Sequence, residues 1–260
     1  MLSLIFSLVF LALLEGAVFL SGGYFGLAAL GVLVFSSYIV WRAVPVKKPA
    51  FLVLAVFSAL PAILFLTVSQ NLIFSQIAVL ISSAIFYALA SGYSGRNPDV
   101  AMLFDSSAEV LTKAEALRGG GVALISFIEF FAIVFLALVY QTMAAVSGWV
   151  TGPIIFAAAS LLFFSSIYLV LDLRGALLIR LLLFSFLAGF AVTEFYFALL
   201  LLPFNLPSID FLVFIIYYGL WDISSRYFSE RLTKKALLID IALVIFSYAA
   251  IFLSAKWFPN

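Results

Sequence analysis

The sequence predicts an all-α fold, a polytopic bundle of about nine transmembrane helices forming a single integral membrane domain. Of its 260 residues, 67% are hydrophobic and only 10% are charged, and the mean hydropathy is +1.30. Soluble domains are closer to half apolar and a quarter charged, so lipid must be the solvent for most of this chain. Apolar stretches of membrane-spanning length recur along the chain, and the basic residues collect in alternate loops.

The predicted spans are apolar segments of about 18–25 residues, each bounded by glycine, proline or charge. A helix needs about 20 apolar residues to cross the hydrocarbon core of a bilayer. The nine segments lie roughly at 2–20, 24–42, 50–68, 72–91, 121–141, 149–171, 179–202, 210–227 and 236–255.

The first segment has the length of a signal peptide but lacks its other features. It has no basic start, it carries Glu15, and no small-residue cleavage pattern lies near its end. We therefore predict that it is retained as the first helix. If it were cleaved, eight spans would remain and the mature N-terminus would lie outside.

The distribution of basic residues agrees with nine spans. Loops that follow even-numbered segments carry 12 of the 13 Lys and Arg residues, and only Lys256 falls on the other side. By the positive-inside rule, the N-terminus is cytoplasmic and the C-terminus is outside. A missing or extra helix would break this alternation. The 12 residues are Arg42, Lys47, Lys48, Arg96, Lys113, Arg118, Arg174, Arg180, Arg226, Arg231, Lys234 and Lys235.

The longest polar stretch covers residues 92–120. Asp105 or Ser106 can cap a helix start there, and the glycine run 119–121 can end or bend that helix. We predict a short interfacial helix at about 106–118, lying on the cytoplasmic surface. It would serve either as a connector or as a docking surface.

The seventh segment combines small residues with a carboxylate. Ser185, Gly189 and Thr193 recur every four residues and share one helix face. Small side chains on one face allow another helix backbone to approach closely. Glu194 follows directly, past the middle of the segment.

Three carboxylates lie deep within apolar segments, Glu15, Glu129 and Glu194, with Glu129 closest to the middle of the membrane. An ionised carboxylate at such depth costs on the order of 2.5–3.5 kcal/mol, so we expect all three to face other helices rather than lipid. One interpretation is structural, with each carboxyl bonded to a hydroxyl. The other is a relay for protons or cations. The hydroxyls available for the structural interpretation include Ser126, Thr193, Tyr196 and Tyr248.

Charged residues near the cytoplasmic helix ends form a second candidate site. Asp222 precedes Arg226 by four residues, which predicts an ion pair across one helical turn. Asp240 lies at a similar depth and can reach the headgroups or a basic loop residue. If Asp172 and Arg174 converge with the Asp222 pair, the cluster could serve a lipid-modifying enzyme at the cytoplasmic face.

Cysteine and histidine are both absent from the sequence. Their absence excludes disulfides, thiolate nucleophiles, Cys or His zinc sites, iron–sulfur clusters and His-based acid–base catalysis. A net charge of +1 gives no electrostatic basis for binding nucleic acid. We predict no catalytic residues, no metal and no cofactor.

The C-terminal third carries a run of recognisable blocks. These are Glu194, Leu202-Pro203-Phe204, Tyr217-Tyr218-Gly219-Leu220-Trp221, Leu232-Thr233-Lys234-Lys235 and Ala255-Lys256-Trp257. The run resembles uncharacterised multi-spanning inner-membrane proteins of uncultured small-genome bacteria. Members of that group often have Trp two or three residues after the glutamate, whereas Phe195, Tyr196 and Phe197 follow it here. The resemblance implies nine spans and a bacterial inner membrane, and it implies no activity.

These observations favour a non-enzymatic structural or accessory component of a cell membrane, with the lipid bilayer and other membrane subunits as its partners. The alternative is a small permease for a proton-coupled or lipophilic substrate. It would use Glu129 and Glu194, and it requires both carboxylates to face one cavity. A lipid-modifying enzyme ranks third.

Overall fold

The structure is a computed structural model that describes residues 8–15, 29–38, 49–68, 72–94, 108–142, 148–171, 173, 175–202 and 204–254. Every regular element in these ranges is an α-helix. The nine helices found there are, in chain order, α1 (8–15), α2 (Ala29–Tyr38), α3 (Pro49–Val68), α4 (Leu72–Ser94), α5 (Ala108–Thr142), α6 (Gly148–Leu171), α7 (Ala176–Leu200), α8 (Leu206–Phe228) and α9 (Lys234–Ser254).

Each of these helices lies on one of the nine apolar segments of the sequence. Backbone groups inside lipid have no water to bond, so a chain of this composition satisfies them within helices. The chain is therefore a helical membrane protein. Within the described residues, five stretches are long and apolar enough to cross a membrane: Gly120–Thr142, Val150–Leu171, Ala176–Leu200, Leu206–Phe228 and Lys234–Leu253.

The predicted interfacial helix at 106–118 is not a separate element. α5 is continuous over 35 residues and passes through the glycine run 119–121 without ending. A glycine in a helix interior costs roughly 1 kcal/mol relative to alanine. The helix continues because a break beside the span would leave backbone N–H and C=O groups unpaired. The glycine run therefore does not end the helix, and the interfacial position of residues 106–118 stays a prediction.

The chain forms two compact units, Met1–Ile125 and Ser126–Asn260, where the sequence predicts a single domain. The boundary between the units falls inside α5. In the first unit, α3 packs against α4. Phe10 of α1 stacks on Phe86 of α4 with ring centroids 4.4 Å apart, and both side chains are fully buried.

In the second unit, α6 packs against α7, α7 against α8, and α8 against α9. In addition, α6 contacts α8. Short connections make successive helices antiparallel, as in other helical hairpins. Large side chains fill the interior of this unit. The fully buried ones include Phe130, Phe163, Tyr196 and Tyr217.

The helices α6 and α7 approach closely at the small-residue face of α7. Ser185 and Gly189 are buried there. A Cβ atom added at Gly189 would lie 2.9 Å from the Phe156 carbonyl oxygen and would overlap Ser160 Oγ. The prediction that this face admits a second helix backbone is confirmed.

The caps of α8 fix the position of its polar residues. Asn205 is the N-cap, and its Oδ1 accepts a hydrogen bond from the Ser208 N–H at 2.9 Å. At the other end, the Arg231 N–H donates to the Arg226 carbonyl at 2.9 Å. The helix starts four residues before Asp210, so this carboxylate lies within the helix rather than in the preceding loop.

Candidate functional site

Glu129 is the most deeply buried of the predicted carboxylates. α5 places it in the interior of the second unit, with only 2% of the residue exposed. Neither carboxylate oxygen has a hydrogen-bond partner within the described part of the chain. Removing an ion from water costs several kcal/mol, so a proton, a cation or a hydrogen-bond donor must neutralise this group.

Hydroxyl groups lie beside Glu129 on two other helices. Ser126, one turn before Glu129, donates to the Leu162 carbonyl of α6 at 3.4 Å, and its oxygen lies 3.0 Å from the Tyr217 hydroxyl of α8. A serine hydroxyl has one proton to give, so Tyr217 is the donor to Ser126. Tyr217 also lies near Glu129, so an ionised Glu129 would interact electrostatically with the Tyr217 hydroxyl.

Ser166 of α6 extends this network toward the end of α8. Its Oγ accepts the indole N–H of Trp221 at 2.9 Å and donates to the Leu162 carbonyl at 2.7 Å. The Leu162 carbonyl therefore accepts hydrogen bonds from both Ser126 and Ser166. The network joins α5, α6 and α8, and it holds their polar side chains in one place.

Aromatic rings enclose the network. Phe130 stacks on Tyr217 with ring centroids 4.0 Å apart, and Phe127 meets the edges of Tyr217 and Trp221 at 6.0 Å and 5.0 Å. Each such pair contributes roughly 0.5–1.5 kcal/mol beyond its buried area. The rings keep lipid away from Glu129 and fix the orientation of the Tyr217 hydroxyl.

The four hydroxyls expected to bond the glutamates have other partners. Ser126 bonds Tyr217 and Leu162, as described above. Ser and Thr hydroxyls within helices often bond a carbonyl one turn back, which satisfies them locally. None of these four hydroxyls bonds a glutamate among the described residues, so they lend no support to the structural interpretation. The other three bonds are from Thr193 to the Gly189 carbonyl at 2.8 Å, from Tyr196 to Gln141 Oε1 at 2.5 Å, and from Tyr248 to the Leu212 carbonyl at 2.9 Å.

Asp210 is a buried carboxylate that the sequence analysis did not select. It is 0% exposed, and both of its carboxylate oxygens are without a partner among the described residues. It is the first residue of the eighth apolar segment, so the sequence pattern does not distinguish it from a residue of the preceding loop. Two signals could have identified it: the Asn205 cap upstream and the seven-residue spacing to Tyr217, which puts both residues on one helix face.

A polar group lies at the same end of the unit as Asp210. Gln141, at the end of α5, accepts hydrogen bonds through Oε1 from Tyr196 at 2.5 Å and from Thr151 at 3.4 Å. The three residues belong to α5, α7 and α6, respectively. Buried polar side chains therefore occur near this end as well as around Glu129.

Glu194 is exposed on the side of α7 that faces away from the buried residues of that helix. No hydrogen bond or ion pair joins it to another described residue. No described helix of this chain covers Glu194, so whether it faces another helix rather than lipid stays a prediction. The small-residue face explains this exposure. Because Ser185 and Gly189 face α6, Glu194 lies on the outer side of α7.

Glu15 has a partner within the first unit. Its Oε2 accepts a hydrogen bond from Gln76 Nε2 of α4 at 2.8 Å. An amide, rather than a hydroxyl, satisfies this carboxylate. The contact favours the structural interpretation for Glu15, because the bond links α1 to α4.

The predicted pair of Asp222 and Arg226 is present. Arg226 donates from Nη2 and Nε to the two carboxylate oxygens of Asp222 at 2.8 Å and 3.2 Å. Arg226 Nη2 also lies 3.5 Å from Asp240 Oδ1, so the cluster joins α8 to α9. Asp172 and Arg174 lie outside the described residues.

A surface groove of about 200 Å³ lies between α7, α8 and α9. Its lining is entirely apolar and includes Ala191, Gly219 and Val244. Neither Glu129 nor Glu194 lines it. Glu129 is buried in the second unit, whereas Glu194 is exposed on α7.

Comparisons with known proteins add no relative to this description. No family model, no curated protein and no solved structure matches the chain.

Proposed function

We propose that the protein is a non-enzymatic accessory component of a membrane assembly, which binds another membrane protein through the outer face of α7. Glu194 carries this proposal, because it is an exposed carboxylate within a membrane-spanning helix. Ionisable side chains in spans almost always meet a partner or line a polar cavity. The described part of the chain supplies neither for Glu194.

The surroundings of Glu194 define the chemistry of the partner. Leu183, Leu187 and Phe190 lie on the same side of α7 and are exposed by 58%, 61% and 54%. A complementary surface would be a transmembrane helix with an apolar stripe and one hydrogen-bond donor or basic side chain at the depth of Glu194. Such a contact would remove the cost of leaving the carboxylate in lipid.

We also propose a membrane topology and a location for the chain. The chain crosses the membrane nine times, with its N-terminus in the cytoplasm and its C-terminus outside, in a bacterial inner membrane. The positive-inside distribution and the resemblance of the C-terminal third support this arrangement. The permease alternative has less support, because Glu129 is buried whereas Glu194 is exposed.

Site-specific photo-crosslinking in cells tests the contact. A photoreactive amino acid replaces Leu187 or Phe190 beside Glu194, or Phe246 on the exposed surface of α9 as a control. We expect an adduct of defined mass at the first two positions, containing a membrane protein, and none at Phe246. Adducts to lipid alone at all three positions, or to this chain's own first unit, would contradict the proposal.

Substitution of Glu194 distinguishes a specific contact by this carboxylate from nonspecific hydrophobic association of the α7 surface. We expect Glu194→Leu to lower the yield of the adduct by a factor of about 5–30, which corresponds to the 1–2 kcal/mol of an interhelical hydrogen bond in a membrane. Glu230→Gln, a change at an exposed loop carboxylate, is the matched control and should leave the yield unchanged. An equal yield from both variants would remove Glu194 from the contact.

A further inference from the structure

Two buried carboxylates, Asp210 and Glu129, remain unexplained by a partner contact on α7. They are 0% and 2% exposed, and no described residue bonds either one. The described Lys and Arg residues of this unit lie at helix ends or in a loop, away from both carboxylates along the chain. These are Arg180, Arg226, Arg231, Lys234 and Lys235. No described basic side chain therefore neutralises the pair.

The relative heights of the polar residues follow from the ring contacts between α5 and α8. Phe131 meets Phe211, whereas Phe127 meets Trp221, so higher numbers on α5 pair with lower numbers on α8. The two helices are antiparallel. Glu129 is therefore displaced from the level of Ser126 toward the end of α8 that carries Asp210.

The rise of an α-helix gives the spacing. Asp210 and Tyr217 are seven residues apart on one face, about 10.5 Å along the axis of α8. Glu129 lies three residues beyond Ser126, about 4.5 Å along α5. Since Ser126 bonds Tyr217, about 6 Å of axial distance separates Glu129 from Asp210. This spacing is between backbone levels along the helix axes, and two carboxyl side chains joined by bridging water can span it.

Polar groups continue beyond the pair in both directions. Gln141, Thr151 and Tyr196 lie at the Asp210 end, and Ser126, Tyr217, Ser166 and Trp221 lie beyond Glu129. The ionisable groups that face the pair from other elements are Tyr217 on α8, beside Glu129, and Tyr248 on α9, which bonds the Leu212 carbonyl near Asp210. On α6, the buried hydroxyl of Ser166 belongs to the same network through its bond to Trp221.

We propose that Asp210 and Glu129 are proton-binding sites that exchange a proton through water in the interior of the second unit. In each transfer, the O–H bond of the donor carboxyl breaks and a bridging water accepts that proton. The water gives another proton to the receiving carboxylate, so charge moves without any oxidation or reduction. Tyr217 and Ser126 continue the path toward the Arg226 end of α8. This inference does not rest on the proposed partner contact, because Glu194 takes no part in it.

Proton flux into sealed vesicles tests the proposal. The whole protein is reconstituted with a pH-sensitive dye inside, in a buffer whose only monovalent cations are choline, potassium and protons, and a potassium gradient with valinomycin supplies the driving force. We expect faster acidification than in protein-free vesicles, and loss of the acceleration in Asp210→Asn and in Glu129→Gln. Glu230→Gln, a carboxyl-to-amide change in an exposed loop, should retain it. Flux that persists in both core variants, or that requires sodium, would overturn the proposal.

A second measurement does not depend on the variants folding. Infrared spectra of the wild-type protein in lipid, with isotope-labelled aspartate or glutamate carboxyls for assignment, report whether the carboxyl protons exchange with solvent. We expect the C=O bands of the protonated buried carboxyls to shift when H₂O is replaced by D₂O. Bands that stay unshifted would mean sealed carboxyls and would overturn the proposal, whatever the flux of the variants.

Discussion

Glu230 ends α8 in a left-handed backbone conformation, with φ at 58°. The Arg231 N–H donates to the Arg226 carbonyl at 2.9 Å, and the Glu230 N–H donates to the Tyr227 carbonyl at 3.1 Å. These two bonds form a Schellman motif, whose left-handed position is usually glycine. A residue with a Cβ is strained there, at a cost of roughly 1–2 kcal/mol.

Replacing Glu230 with glycine is therefore expected to stabilise the protein by up to about 1 kcal/mol, because relief of the strain exceeds the extra entropy of glycine in the unfolded chain. The free energy of unfolding in mixed micelles at increasing SDS fraction measures the change. Glu230→Ala keeps the Cβ and removes the charge, so it should show no such gain. A gain from alanine equal to that from glycine would assign the effect to charge instead.

For single acidic residues, the sequence predicts the depth in the membrane but not the direction of the side chain. The hydropathy pattern places Glu129 and Glu194 inside spans, and helices occupy both positions. It does not decide which way either side chain points, and Glu129 is buried whereas Glu194 is exposed. The seventh segment did contain the necessary signal, because a small-residue face predicts the packed side and leaves Glu194 off it.

At the scale of elements, the contact between α6 and α7 is the closest match between sequence pattern and structure. Gly189 packs so closely on Ser160 and on the Phe156 carbonyl of α6 that no Cβ fits there, which explains why small residues recur every fourth position. The same logic applies to Gly219 on α8, where an added Cβ would lie 2.9 Å from Val244 Cγ2 of α9. There the neighbouring atom ends a side chain and can move, whereas at Gly189 the backbone carbonyl of Phe156 obstructs a Cβ as well as Ser160 Oγ.

We expect Gly189→Ala to destabilise the second unit by about 1–3 kcal/mol, because the added methyl group forces α6 away from α7. Unfolding in SDS mixed micelles measures the loss. Gly120→Ala is the matched control, since nothing lies within 4 Å of its Cβ position and alanine favours the helix. An unchanged stability for Gly189→Ala would mean that α6 and α7 separate without cost at this point.

At the glycine run in α5, by contrast, the local sequence pattern does not match the structure. Local propensity predicts a break at residues 119–121, yet one helix runs from Ala108 to Thr142. Propensity differences of about 1 kcal/mol per residue are small beside the cost of unpaired backbone groups near lipid. Local propensity therefore does not by itself predict where this helix begins or ends.

At the scale of the whole molecule, the absence of cysteine makes the orientation directly testable. Leu201→Cys and Arg231→Cys place single thiols in the connections before and after α8, where both native side chains are exposed. With a membrane-impermeant maleimide, we expect Leu201→Cys to react in right-side-out vesicles and Arg231→Cys to react only in inverted ones, as the positive-inside rule requires.

Two alternative labelling patterns would be decisive against this arrangement. The reverse pattern would overturn the orientation with the N-terminus inside. Reaction of both thiols from one side would show that α8 does not span the membrane. Double labelling after detergent solubilisation is the control that both cysteines are reactive in principle.

The sequence by itself determined that the chain is a helical membrane protein and where its helices lie, because length and hydropathy alone govern which segments can cross lipid. It also determined the small face of α7 and the pair of Asp222 and Arg226, which depend on spacing along one helix. Only the tertiary structure decided that Glu129 and Asp210 are enclosed while Glu194 is left outside. Enclosure depends on which helices meet, and that is set by packing between segments distant in the chain rather than by any local pattern.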